Sequence, residues 1–176
     1  MARDFDGATN EIEFAFNSIL NIVNPFSMHA WVTTDTTAAV QETIMSHDAG
    51  GDGFSCGLSP TGTRRARLTT LGVLDYHFTT TLGLSTLQDF YADIDSADDS
   101  NLFLDGAFQE TITHTVGSIA DAGDAFMIGS SADTFFWDGN LSECAVWDAI
   151  LSTSLISALA NGVNPFVIDN DNLVFY

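Results

Sequence analysis

The stretch that decides the fold reads DSNLFLDG at residues 99–106, AFMIGSS at 125–131 and FFWDGNLSECAVW at 135–147. Apolar and polar residues alternate through most of it, which is typical of β-strands that bury one face. Asp105-Gly106 and Asp138-Gly139 stand between apolar runs, where glycine supplies the positive φ of a tight turn. The stretch therefore predicts a series of antiparallel strands joined by turns.

A single short helix is predicted directly after these strands. Ser152 stands at an N-cap position, and Leu155, Ile156 and Leu159 follow at helical spacing. Gly162 stands just past the predicted end, where a helix commonly terminates in a left-handed residue.

The period of two extends over the rest of the chain, as FSMHAWVTT at residues 26–34 illustrates. One face of that strand is apolar and consists of Phe26, Met28, Ala30 and Val32. The other face is mixed and consists of Ser27, His29, Trp31 and Thr33. Many short strands separated by Gly, Asp, Asn and Ser clusters predict an all-β sandwich or barrel. With no compositional break in 176 residues, we expect residues 1–176 to form one domain.

The charge of the chain excludes several partners. It has four arginines, no lysine and 24 acidic residues, for a formal net charge of −20. Such a field repels phosphates, so neither nucleic-acid binding nor contact with anionic membranes is expected. No apolar run is long enough to cross a membrane as a helix, and the opening MARDFDG predicts no secretory signal.

The same composition suggests a salty environment. Self-repulsion among carboxylates weakens as salt rises, because the Debye length falls from about 10 Å at 0.1 M to about 3 Å at 1 M. We therefore expect a marine or halophilic source, with an acidic but otherwise ordinary protein as the alternative. Cys56 and Cys144 each lie in a predicted strand and are expected to be buried free thiols.

The order of these motifs resembles the laminin-G-like, concanavalin A-like jelly-roll domains. Phe5-Asp6-Gly7 resembles the family's opening strand, Ser27 to Trp31 its second strand, and the Asp105-Gly106 hairpin its internal turn. Trp137-Asp138-Gly139 and the strand and helix that follow resemble its C-terminal signature. The resemblance spans nearly the whole chain. It implies a two-sheet antiparallel jelly-roll sandwich with one short helix near the C-terminus.

Within that family, the chain is most similar to domains found in tailed viruses of bacteria and archaea. The resemblance implies a non-catalytic virion surface protein: a capsid decoration, a turret or a tail-fibre head. It would assemble in the host cytoplasm, form homo-oligomers, contact capsid or tail proteins of the same particle, and adhere to host or environmental glycans. The alternatives are a free-standing, calcium-assisted carbohydrate-binding module and, less favoured, a glycosidase of the same architecture.

No catalytic constellation stands out in the sequence. A retaining glycosidase needs two carboxylates about 5–5.5 Å apart. Glu11 with Glu13, and Asp93 with Asp95, each share a strand face, but both pairs lack the third acid of the glucanase pattern. We expect both pairs to lie on solvated strand faces. The four histidines are dispersed, and no nucleophile elbow or phosphate loop is present, so no enzymatic activity is expected.

Acidic loops offer candidate calcium ligands, because calcium prefers carboxylate and carbonyl oxygens from flexible loops. The best candidate is SHDAGGDG at residues 46–53, in which Asp48 and Asp52 flank glycines. Zinc is not expected, since histidine and cysteine do not cluster.

Two surface patches are candidate contact sites. Trp31 lies on a mixed strand face, and Tyr76 and His77 precede a threonine run, so these three residues are candidate glycan contacts. Trp137 and Trp147 are expected in the core instead. Arg64, Arg65 and Arg67 hold three of the four positive charges. They either neutralise nearby carboxylates or form a docking patch, in which arginine forks pair with carboxylates of a neighbouring subunit.

Overall fold

The structure is a computed structural model that describes residues 2–15, 19, 22, 25–47, 53–70, 74–95, 99–113, 125–131 and 134–176. At positions 69, 70 and 74–77 the description is limited to the backbone. The described residues form two antiparallel sheets, a short α-helix and a 3₁₀ turn. The all-β sandwich with one helix near the C-terminus is thereby confirmed.

The first sheet has seven strands in the order β1-β12-β3-β8-β9-β10, with β13 also paired to β12. Its strands are β1 (Arg3–Asp6), β3 (Phe26–Val32), β8 (Gln88–Ile94), β9 (Asp99–Leu104), β10 (Ala107–Thr113), β12 (Asp138–Trp147) and β13 (Leu173–Phe175).

The second sheet has six strands in the order β2-β11-β4-β5-β6-β7. Its strands are β2 (Ile12–Phe14), β4 (Glu42–His47), β5 (Phe54–Leu58), β6 (Arg65–Thr70), β7 (Leu74–Thr81) and β11 (Phe126–Ile128).

The core lies between the two sheets, and the period of two in the sequence explains it. The apolar face predicted for β3 is fully buried there, together with apolar residues of β8 and β9 on one side and of β4, β5 and β6 on the other. Burying one such side chain contributes about 1.5–3 kcal/mol. Cys56 and Cys144 are both buried free thiols in strands, as expected.

A second, smaller core lies on the outer face of the first sheet, beneath the helix α1 (Thr153–Ala160). Ile156 and Leu159 of α1 are buried against Tyr91 and Trp147 of the sheet. Ser152 is the N-cap residue, as predicted, and Gly162 has a φ of 80° just past the helix. Both the helix and its ends are therefore confirmed. With eight residues, α1 is too short to cross a membrane, and no described helix is longer.

The two predicted turns differ in outcome. Asp105 and Gly106 have φ values of 52° and 71° and join β9 to β10, so this hairpin turn is confirmed. The Asp138-Gly139 turn is wrong, because both residues already belong to β12, where they pair with Asp6 and Phe5 of β1. Gly139 is required there by close approach rather than by a hairpin. A Cβ atom at this position would lie 2.2 Å from the Thr33 carbonyl oxygen.

Candidate functional site

The mixed face of β3 is covered rather than open. Ser27 and His29 are fully buried, and the Ser27 hydroxyl donates to the Ala149 carbonyl (2.7 Å). His29 Nε2 lies 2.6 Å from Asp89 Oδ1, and His29 Nδ1 lies 3.1 Å from the Glu143 carbonyl. Both ring nitrogens therefore lie within hydrogen-bond distance of an oxygen on a neighbouring strand. This pair therefore joins β3, β8 and β12 beneath the surface.

The candidate glycan contacts are not gathered into one site by the described residues. Trp31 is half-buried on the same outer face, with Asp89 and Ser142 as its cross-strand neighbours. Tyr76 and His77 lie in β7, on the far strand of the other sheet, and their side chains are outside the described residues. Their role in glycan binding stays a prediction.

The candidate calcium ligands Asp48 and Asp52 lie outside the described residues. Within the described ranges, no three acidic, histidine or cysteine side chains come close enough to hold a metal ion. The Asp6 carboxylate is satisfied by groups of the chain itself. Its Oδ1 accepts from the backbone N–H groups of residues 8, 9 and 10, and its Oδ2 accepts from the Thr9 hydroxyl. These bonds hold the pKa of Asp6 well below its usual range.

The three clustered arginines have different environments. Arg67 is only 5% exposed, and once the Gln41 amide is oriented with its oxygen towards the guanidinium, Arg67 Nη1 donates to that oxygen (2.9 Å). Arg64 has a φ of 54° and its Nε donates to the Leu82 carbonyl (3.0 Å). Arg64 and Arg65 are partly exposed, so these two are the members available to a neighbouring subunit. Arg67 is thus enclosed within the chain, and the docking patch stays a prediction that depends on Arg64 and Arg65.

The acid pairs also differ from expectation. Asp93 is buried rather than solvated, and its Oδ1 accepts from Asn101 Nδ2 (2.8 Å). Desolvation raises the pKa of Asp93 from 3.8 to about 6, although bonds from Asn101 and Tyr91 oppose the shift. Glu11 is also engaged, since it accepts from the Ser130 hydroxyl, whereas Glu13 is exposed.

A cavity of about 470 Å³ lies at the end of the sandwich where several loops meet. We call it the rim cavity; its lining consists of Gly7, Val40, Gln41, Glu42, Pro60, Phe135 and Phe136. Glu42 is the first residue of β4, and the other lining residues come from four connections: the one after β1, the β3–β4 and β5–β6 connections, and the segment before β12. Apolar rings and polar side chains thus meet in one concave surface, the usual composition of a small-ligand site.

The segment that carries Phe135 and Phe136 is held rigidly from below. Trp137 is fully buried, and its indole N–H donates to the Thr33 carbonyl (3.0 Å). The Trp137 carbonyl accepts from Gly7 N (2.9 Å), and the Phe135 carbonyl accepts from Thr43 N (2.8 Å). The burial expected for Trp137 is confirmed, as it is for Trp147. Trp137 therefore acts as the anchor that presents the two phenylalanines.

Phe135 has an unusual backbone and an unusual exposure. Its φ is 53°, a conformation rare for bulky residues, and its side chain is 45% exposed. Such backbone strain costs on the order of 1–3 kcal/mol and persists where the surrounding structure imposes it, often at binding sites. The exposed ring is thus fixed at the mouth of the rim cavity at some cost in stability.

Glu42 is the buried polar group of the rim cavity. It is only 4% exposed, and its Oε2 accepts from Asp138 N (3.3 Å). Desolvation raises the pKa of Glu42 from 4.5 to about 7, and the nearby Asp138 carboxylate adds to the increase. Burial and the charges of Asp35, Asp4 and Asp6 likewise raise the pKa of Asp138. At neutral pH the Glu42 carboxyl can therefore donate as well as accept hydrogen bonds.

Sequence reasoning missed the rim cavity. Glu42 and Asp138 are 96 positions apart, and ETIMSH at residues 42–47 resembles any half-buried strand. A usable signal was the pair of phenylalanines directly before Trp137-Asp138-Gly139, because two bulky residues cannot both face the core of one extended segment.

The sequence matches the Concanavalin A-like lectin/glucanases superfamily over residues 6–157. A search of the curated proteins found no match.

Solved structures share the fold at low sequence identity. A heptameric SAP-like pentraxin from Limulus polyphemus aligns with a TM-score of 0.71 and 19% identity, over 93% of this chain and 84% of its own. A putative carbohydrate binding protein from Bacteroides ovatus aligns with a TM-score of 0.78 and 16% identity, over 99% of this chain and 50% of its own. Domain 4 of an extracellular arabinanase from Geobacillus stearothermophilus, in complex with arabinotriose, aligns with a TM-score of 0.65 and 13% identity. The alignment covers 90% of this chain and 87% of the arabinanase domain. The chain belongs to the concanavalin A-like lectin/glucanase superfamily, in its laminin-G form.

Proposed function

We propose that this protein is a non-catalytic adhesion module on the surface of a virion, and that it binds neutral glycans in the rim cavity. The observation that carries the glycan part is that the exposed ring of Phe135 and the buried carboxyl of Glu42 line the same cavity. Structurally similar domains include a carbohydrate binding protein and an arabinanase domain that holds arabinotriose, which supports this ligand class.

The chemistry of the rim cavity suits a sugar ring. The faces of Phe135 and Phe136 can pack against the apolar C–H face of a pyranose or furanose. Gln41 and Glu42 stand beside them and can exchange hydrogen bonds with hydroxyl groups, because a carboxyl with a pKa of about 7 can donate or accept at neutral pH. Replacing water at such buried polar groups requires a ligand that supplies matching hydroxyls.

The charge of the rim favours glycans without acidic groups. Asp35, Asp4 and Asp6 all lie close enough to Asp138 to raise the pKa of its carboxyl. A sialylated or sulfated sugar would meet this negative field, and in a chain of net charge −20 few cations offset it. Neutral arabinose-, glucose- or galactose-based oligosaccharides are therefore the expected ligands.

A particle surface would make such a shallow site effective. One cavity at the rim gives weak binding, but many copies on one particle convert later contacts into intramolecular ones and raise avidity. Arg64 and Arg65, partly exposed on the β5–β6 side, are the proposed contacts with a neighbouring subunit or with capsid or tail proteins. The lysine-free, acidic surface fits particles that persist in salty water.

A neutral-glycan array probed with fluorescent protein tests the binding claim. Wild type should bind a subset of neutral glycans, and Phe135→Asn should lose that binding, since asparagine tolerates the positive φ but removes the ring. The matched control is Phe108→Asn, which removes a 56% exposed phenylalanine from β10. Equal binding by wild type and Phe135→Asn would contradict the proposed site.

The virion claim needs a separate measurement. Mass spectrometry of purified particles should find the chain in many copies, and image reconstruction should place it on the particle surface in symmetric arrangement. Its absence from particles, together with retained glycan binding, would favour the free-standing carbohydrate-binding module. Loss of glycan binding in EDTA would then support the calcium-assisted form of that alternative.

A glycosidase is the remaining candidate, and one observation favours it. Glu42 has the raised pKa of a general acid, and Asp138 supplies a second carboxyl next to it. A reducing-end assay on the glycans that bind decides this question. Turnover by wild type that Glu42→Gln abolishes would replace the adhesion proposal, whereas binding without turnover supports it.

A further inference from the structure

A second cavity, of about 260 Å³, lies at the open edge of the sandwich. We call it the edge cavity; its lining consists of Arg3, Phe5, Ile12, Phe14, Ile128, Leu141, Ser142, Glu143, Cys144, Phe175 and Tyr176. It shares no lining residue with the rim cavity.

The edge cavity exists because two strands share one edge of β12. The pairing of β1 with β12 ends where Arg3 faces Leu141. The pairing of β13 with β12 begins where Phe175 faces Val146. Between these pairings β12 carries a bulge, at which Glu143 has a φ of 52°. The bulged segment forms the floor of the cavity, between the ends of β1 and β13.

Aromatic rings form the opposite wall. Phe14 on β2 meets Phe175 on β13 edge to face, with ring centroids 5.1 Å apart, and Phe175 lies 4.4 Å from Phe126. This contact joins the two sheets across the opening. Phe14 is still 39% exposed and Tyr176 is exposed, so the rings are available to a further aromatic partner. Aromatic pairs of this geometry are favourable beyond the area that they bury.

Three polar groups interrupt the apolar lining. Arg3, which lines the cavity, lies over the Phe5 ring at 5.4 Å and donates to the Glu11 carbonyl (3.4 Å). Glu143 and Ser142 line the floor. A positive and a negative side chain on the same cavity disfavour a ligand with net charge of either sign, and favour one that both donates and accepts hydrogen bonds.

We propose that the edge cavity binds a small, uncharged, ring-containing compound that carries a hydroxyl group. The ring lies against Phe14 and Phe175, and the hydroxyl reaches Arg3 or Glu143. A mainly apolar pocket with a few polar groups is the usual form of such a site, and this volume accommodates one or two fused rings. The site is independent of glycan binding at the rim cavity.

The probe for this site is 2-naphthol, titrated by isothermal calorimetry and by ¹H–¹⁵N NMR. We expect a Kd on the order of 0.1 mM, a modest affinity for a ligand of this size. The charged analogue 2-naphthoate should bind at least about tenfold more weakly, and methyl glucoside should not bind here. NMR shifts should concentrate on β2, β13 and the bulge of β12.

Two variants localise the binding. Phe14→Thr on β2 and Phe175→Thr on β13 each keep a strand-forming residue and remove one of the two rings that face the ligand. Each should weaken 2-naphthol binding at least about tenfold. Phe135→Asn at the rim cavity is the matched control and should leave it unchanged. Circular dichroism and thermal melts identify a variant that has lost its fold.

Unchanged 2-naphthol binding in folded Phe14→Thr would overturn the proposal, as would equal affinity for 2-naphthoate or NMR shifts confined to the rim cavity. Failure of glycan binding with retained 2-naphthol binding would overturn the proposed function alone. The two ideas therefore fail separately.

Discussion

Replacing Glu42 by glutamine is expected to stabilise the protein at alkaline pH and to leave it little changed in acid. The carboxyl is 4% exposed, and its pKa is raised from 4.5 to about 7 by desolvation and by Asp138. Between these two values the folded protein keeps a proton on Glu42 that the unfolded chain has lost. Stability from this group is thus fully present below about pH 4.5 and is lost as pH rises through about 7.

The size of the effect follows from the same two values. One pKa unit corresponds to about 1.36 kcal/mol, so the interval from 4.5 to about 7 amounts to about 3 kcal/mol at most. Glutamine is neutral at every pH and keeps an oxygen that can accept from Asp138 N. Between about pH 5 and pH 8, the free energy of unfolding of the variant should therefore come to exceed that of wild type by up to about 3 kcal/mol.

Urea denaturation of both proteins at a series of pH values measures this difference without adding salt. Other titrating groups, including Asp93, are common to both proteins and cancel in the comparison. A free-energy difference that stays constant within about 0.5 kcal/mol from pH 5 to pH 8 would refute the reasoning, because Glu42 would then titrate normally in the folded state.

Three further outcomes are expected. Asp93→Asn should become more stable than wild type as pH rises through about 6, by at most about 3 kcal/mol, because the pKa of Asp93 is raised from 3.8 to about 6. Asn101 can still donate to the new amide oxygen, and urea denaturation at several pH values measures the difference in unfolding free energy. Gly139→Ala should cost on the order of 2–4 kcal/mol, since its Cβ would lie 2.2 Å from the Thr33 carbonyl oxygen at a φ of 133°; a thermal melt with an unchanged Tm would contradict this. The Tm of wild type should rise from about 0.1 M to about 3 M NaCl as its charge of −20 is screened, and a flat profile would remove the halophilic interpretation.

Local patterns predicted most of the elements because strand and helix periods are local properties. The alternation in residues 26–34 places its apolar face in the core, and the spacing of Leu155, Ile156 and Leu159 sets the buried face of α1. The hairpin at Asp105-Gly106 needs only a positive φ at two positions, which Asp-Gly favours.

The failures have a common physical cause, since each depends on strand pairing and burial that the period of a single strand does not encode. Asp93 was expected in solvent, yet Asn101 and Tyr91 satisfy it in a buried position. Asp138-Gly139 continues a strand because β1 pairs alongside it. The sequence alone contains no signal for the residues that cover a given strand face.

The two cysteines give the protein a practical property. Both thiols are buried, Cys56 in the core and Cys144 at the wall of the edge cavity, and desolvation raises the pKa of Cys56 to about 12 and that of Cys144 further still. Since the thiolate is the reactive form, neither should react with maleimide near neutral pH. A single cysteine introduced on the surface would then carry the whole label, so fluorescent or spin reporters could be attached to this protein without first removing its native sulfur.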